Sequence, residues 1–128
     1  MPGSEDDTEA VLRGVLDQWK AGIDAHDPAR VAAVFADDAI FQGLRPYSVG
    51  PQGVQDYYAA QPLGMTVDYR ISETRRPAPE VVLGYVAAEF SYVDRDPVHL
   101  NLGVLVVGAQ GRWRIGFYEA SPASSAPG

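Results

Sequence analysis

No cysteine occurs among the 128 residues, so disulfides and thiolate metal sites are excluded, and the chain suits a reducing compartment. Positive charge is scarce: ten Lys and Arg stand against seventeen Asp and Glu, giving a formal net charge of −7. That balance repels phosphate backbones and argues against nucleic-acid partners. Arg75 and Arg76 are the only adjacent basic pair, and beside Pro77 they read as a solvated strand end. No apolar run approaches the roughly 20 residues of a membrane-spanning helix. The opening MPGSEDD is acidic where a secretory signal would be basic. No membrane partner and a cytoplasmic location are therefore expected. There is no internal repeat, no glycine-rich phosphate loop after a strand, and no Cys–His or Ser-elbow nucleophile. The two histidines, His26 and His99, lack a metal-ligand spacing, and neither a metal nor a cofactor is expected.

What is present suffices for one core. A 13.8 kDa chain can bury roughly two thirds of its unfolded surface, so a single domain over 1–128 is expected. Residues Met1 to Asp7 and Ser121 to Gly128 are small, polar or proline-rich, and the order is expected to span about 5–120 with both tails disordered. A first helix follows Ser4 or Thr8, with acidic residues at its positive end and one apolar stripe of Val11, Leu12, Val15, Leu16, Trp19 and Ile23. Asp27 can cap a second helix and Pro28 suits its first position. That helix is expected to run to Phe35, with Asp37 and Asp38 as turn residues before a strand carrying Ile40 and Phe41. A loop from Gly43 to Gly50 leads to Pro51 and a third helix burying Val54 and Tyr57 or Tyr58.

Beyond Gly64 the period changes to two. Val67, Tyr69 and Ile71 alternate with polar residues, PAPE reverses the chain, and Val81 to Tyr92, Val98 to Val107 and Arg112 to Glu119 supply three more strands. Helices first and an antiparallel meander afterwards is an α+β order.

The run from Trp19 to Phe41, WKAGIDAHDPARVAAVFADDAIF, resembles the start of the SnoaL-like proteins. These are the polyketide-cyclase and ketosteroid-isomerase relatives of the nuclear transport factor two superfamily, and the small SgcJ/EcaC-type members are the most similar. The resemblance extends from about Thr8 to Tyr118. It implies a conical barrel, a curved and mostly antiparallel sheet wrapped around N-terminal helices, with a central apolar pocket. It also implies cyclase, isomerase or dehydratase chemistry on an apolar, polyketide-like or polycyclic metabolite. A non-catalytic carrier and a dimerisation module with a vestigial cavity remain the alternatives. Aligned on the Asp27–Pro28 helix, Trp19 stands where the isomerase tyrosine would be, Gly43 where the base would be, and Gly103 where the second acid would be. Steroid-type isomerisation therefore lacks its functional groups. The Asp-Arg-Asp arrangement of epoxide hydrolases has no clear match, Asp68 and Arg70 reading as a solvated edge.

Pairing Val107 with Arg112 across GAQG groups Asn101, Gly103, Leu105, Arg114, Gly116 and Tyr118 on one sheet face, and Leu102, Val104, Val106, Trp113, Ile115 and Phe117 on the other. Propensity alone would bury the second, greasier face. The resemblance implies the reverse, with the second face as a convex homodimer interface and the first as the pocket lining. On that choice His99 and Tyr118 are the catalytic candidates, and Trp19, Tyr58, Phe90, Tyr92, Asn101 and Arg114 the ligand-binding ones. His99 titrates near neutrality, although a strand-end histidine bonded to Asn101 or water is the plainer reading. Glu89 and Glu119 face outward in this register, and a one-residue slip would make Glu119 a candidate base.

Overall fold

The computed structural model describes residues 5–123. The architecture is α+β: three helices lie on the inner side of a six-stranded, curved, unclosed sheet. Helix α1 spans Glu5–Asp24, α2 Pro28–Ala32 and α3 Pro51–Ala59. The strands are β1 (Phe35–Gln42), β2 (Ser48–Val49), β3 (Thr66–Ala78), β4 (Val81–Ser91), β5 (Val98–Ala109) and β6 (Arg112–Pro122). Their order across the sheet is β2-β1-β6-β5-β4-β3, with β1 and β6 parallel and every other pair antiparallel. No helix among the described residues is long and apolar enough to cross a membrane.

The expected stripe holds α1 against the sheet. Leu12, Val15, Leu16, Trp19 and Ile23 are all buried, each burial contributing about 1.5–3 kcal/mol. The helix ends where His26 adopts a left-handed conformation (φ 51°), letting Asp27 N–H reach Gly22 O and His26 N–H reach Ile23 O, both at 2.9 Å. His26 is thus a helix-terminating residue. Two side chains then fasten this end of α1 to β3. Asp24 accepts from Val67 N–H at 3.0 Å, and Lys20 Nζ donates to Val67 O (2.6 Å), Asp24 (2.8 Å) and Asp68 (3.2 Å). That attachment fixes the turn carrying Trp19.

Asp27 caps α2 as expected, accepting from Arg30 N–H at 3.2 Å, with Pro28 in the first turn. The helix is shorter than its sequence suggests. It stops at Ala32, and FADDAIFQ is strand throughout, because Ile115 N–H takes Val34 O at 2.9 Å and Phe35 pairs with Ile115. Asp37 and Asp38 are consequently exposed residues of β1 rather than helix-ending turn residues. At the ends, Asp7 is helical and β6 continues to Pro122, with Ala123 N–H donating to His99 O at 3.0 Å, so these residues are not disordered tail. The disorder expected for 1–4 and 124–128 lies outside the described residues.

The largest correction concerns sheet faces. The β5–β6 turn is a tight two-residue connection, Gln110 (φ 55°) and Gly111 (φ 76°), not the four-residue GAQG. Val107 therefore pairs with Arg114, and Ala109 with Arg112. The grouping of side chains survives this two-residue shift, but the face is reversed: Leu100, Leu102, Val104, Val106 and Ile115 are buried against the helices. Asn101, Gly103, Leu105 and Arg114 look outward. The apolar face went where burial is most favourable, which is the outcome propensity alone would have given. A bulge then changes the sense of β6. Leu105 pairs with Phe117 and Val106 with Ile115, leaving Gly116 unpaired between them. Downstream of it, Phe117 turns outward and Tyr118 inward, the opposite of plain alternation.

Candidate active site

The wide end of the cone is closed by rings. Phe41 stacks on Tyr118 at 4.9 Å between centroids and 23° between planes, and meets Tyr57 edge-on at 5.0 Å. Trp19 stands 6.1 Å from both Phe90 and Tyr118, while Phe35 packs 5.6 Å from Phe41. These aromatics fill most of the interior. A cavity of about 40 Å³ remains, lined by Tyr57, Tyr58, Met65, Phe90, Leu100 and Tyr118, with Leu44, Gln61, Tyr92 and Val98 at its rim. That is room for about two or three waters.

Its polar atoms are few. Trp19 Nε1–H donates to the Tyr58 hydroxyl at 3.2 Å. Burial raises the Tyr58 phenol well above its ordinary value, outweighing the lowering effects of the nearby Tyr118 and of the Trp19 hydrogen bond. Tyr118 is raised for the same reason first, and then by the proximity of Tyr58. Both hydroxyls therefore stay protonated and act as hydrogen-bond donors, not as bases. At the rim, Leu44 N–H donates to the Tyr57 hydroxyl and Gln61 Nε2 to Tyr57 O, each at 3.2 Å. Neither carboxylate nor imidazole is among the lining residues.

Trp19, Tyr58, Phe90 and Tyr118 are brought together as the sequence suggested, and Tyr92 reaches the rim. His99, Asn101 and Arg114 are not. They lie on the outer face, because β5 and the first half of β6 present the opposite pleat from the one expected. His99 and Tyr118 are thus separated by the sheet and cannot act on one substrate atom together. The His99 side chain is 64% exposed, with Nε2 3.9 Å from Glu89, in a shallow outer groove of about 290 Å³ that also touches Arg70 and Asn101. Glu89 and Glu119 face outward as expected.

Sequence reasoning missed Phe35 and Phe41 as cavity fillers. The available signal was FADDAIF itself, read as a helix end although its two phenylalanines both turn inward. Gly43 has no room for a side chain, since a Cβ there would run into the Tyr57 ring.

No known family model matches the chain, and neither does any curated protein. Solved structures do match in fold. A ketosteroid isomerase-like protein from Erwinia carotovora atroseptica is 21% identical with a TM-score of 0.76, over 90% of this chain and 95% of that one. A protein provisionally assigned as a scytalone dehydratase, from Novosphingobium aromaticivorans, is 14% identical with a TM-score of 0.75, over 94% and 89%. A third, from Xanthomonas campestris and provisionally assigned as a calcium/calmodulin-dependent protein kinase II association domain, is 17% identical with a TM-score of 0.79, over 96% and 91%. The chain has the fold these proteins share, that of the nuclear transport factor two-like class.

Proposed function

We propose that this chain is a small-molecule pocket protein that admits an apolar metabolite at the wide end of the cone and holds one ligand oxygen on Tyr118 and Tyr58. The carrying observation is a pair of buried phenols in an otherwise apolar, aromatic lining, the usual form of a small-molecule site. A polyketide-like or polycyclic ligand is the class favoured by the SgcJ/EcaC-type resemblance. The dehydratase and isomerase names of two fold neighbours support it. Entry of such a molecule requires displacement of the rim residues Leu44 and Tyr92 and of Tyr57 in the lining of the 40 Å³ space. Without a base in the lining, the site favours holding a ligand, or a cyclisation guided by shape, over proton abstraction. The absence of cysteine supports a cytoplasmic setting. Native mass spectrometry of protein from its own producer, followed by titration with aromatic ketones, tests this reading. Quenching of tryptophan emission should survive Trp113→Phe and vanish in Trp19→Phe. Failure of every ligand to bind would leave the cavity vestigial.

The reading includes a homodimer through the convex sheet face, on a revised set of residues. Of the face first expected, Leu102, Val104, Val106 and Ile115 are core, and Trp113 shares their side, its ring beneath Arg76 at 5.6 Å. Only Phe117 remains outside. It belongs to a row running straight across the sheet, Leu83–Leu105–Phe117–Ile40–Val49, each residue paired with the next. Leu83, Ile40 and Val49 are 42%, 43% and 60% exposed. A continuous apolar row on an outer face marks an interaction surface, and the association-domain name of one neighbour supports self-assembly. Sedimentation at micromolar concentration is the check, with Phe117→Asp expected to release monomers.

A further inference from the structure

The outer face carries charge in a pattern that selects one way for two copies to meet. Taking the row through Leu105 and Phe117 as reference, Arg114 lies on one side of it and Glu119 on the other. Arg114 pairs with Val107 and Glu119 with Gly103, and these β5 partners are each two residues from Leu105, about 7 Å along the strand. Both side chains point away from the core, and neither takes part in an ion pair among the described residues. Arg112, further along β6, is also outward, so the turn end of this strand carries two arginines, with the exposed Asp38 of β1 on the same side of the row, while the opposite side carries Glu119 and Glu89 together with Arg70 of β3.

Two copies at −7 each repel on approach, which makes the placement of the few outward arginines decisive. A two-fold axis for face-to-face sheets lies in the interface plane. If it ran along the strands, Arg112 and Arg114 would meet their own copies and Glu119 would meet Glu119. If it runs across the strands, along the apolar row, β6 stacks antiparallel on β6 and opposite charges meet. Resting on the homodimer reading above, we infer that the axis follows the Leu83–Leu105–Phe117–Ile40 row and sets Arg114 of each copy against Glu119 of the partner subunit. Symmetry makes this contact occur twice. Arg75 ends the row on β3 and is already paired with Glu73 at 3.1 Å, so it does not contribute a free like charge.

The test is a charge exchange read by analytical ultracentrifugation, with near-ultraviolet circular dichroism to confirm folding. Arg114→Glu and Glu119→Arg should each weaken dimerisation at least tenfold. The double variant should restore it. Mixing the two single variants should yield a heterodimer, because one then presents two acidic groups where the other presents two basic ones. Single variants that dimerise like the wild type, or a mixture that stays monomeric, would overturn the inference while leaving the dimer itself intact. A monomeric wild type would instead remove the homodimer reading, and this pairing with it.

Discussion

Trp19 and Tyr58 come from different helices, yet the indole N–H of one donates to the hydroxyl of the other at 3.2 Å inside the closed end of the cone. Both side chains are almost wholly buried. Removing the acceptor therefore leaves a donor stranded away from water. Tyr58→Phe should lower stability by about 1–3 kcal/mol, the cost of an unpaired buried polar group. A double-mutant cycle with Trp19→Phe, followed by urea unfolding, isolates the bond from the lost indole volume. A coupling energy indistinguishable from zero would mean that the contact contributes nothing.

How much of this could be read in the sequence depended on whether the signal was local. Asp27 and Pro28 announce a capped helix because the cap acts over three residues, and that feature is found as expected. The stripe on α1 was equally legible, since it follows one period without interruption. The face of β5 was open to two arguments, and burial of the greasier side prevailed. The bulge at Gly116 was not legible at all. A glycine within a strand pattern permits a bulge but does not require one, and only the pairing with β5 shows that Phe117 and Tyr118 have exchanged sides. The candidate site was therefore half visible: its aromatic part came from α1, α3 and β4, with Tyr118 of β6 brought inward by the bulge, while His99, Asn101 and Arg114 were lost with the face.

Alkaline pH should be the chain's weak side. Tyr58, Tyr69, Tyr92 and Tyr118 are all raised, in each case chiefly by burial; for Tyr69 the 2.6 Å hydrogen bond to Asp17 adds to it. Lys20 is raised mainly by its bond to Asp24, though it is a third exposed and counts for less. A raised folded value means that the native state holds protons the unfolded chain has already released. The associated stability is therefore complete below about pH 10, where unfolded tyrosine begins to ionise, and falls as pH rises further. Tyrosinate absorbance should appear in two stages, with the buried phenols ionising only as the fold is lost. Tyr118→Phe should shrink the second stage. A single smooth titration of all seven tyrosines in a folded protein would contradict this account.

The seating of α1 on the sheet offers a test of packing without any polar group. Gly84 of β4 is buried, and a Cβ built there would lie 2.5 Å from one terminal methyl of Leu12 and 3.1 Å from the other. Leu12 itself has no exposed surface. Glycine is thus the residue that lets the helix approach this strand. Gly84→Ala should destabilise by about 1–3 kcal/mol through overpacking, because the Leu12 tip must leave its notch. Leu12→Val alone should also destabilise, by leaving that notch partly empty. Together the two changes should cost less than their sum, since each removes the strain or void made by the other. Additive losses in urea unfolding would show that α1 yields as a whole, and that the depth at which Trp19 enters the cone is set elsewhere.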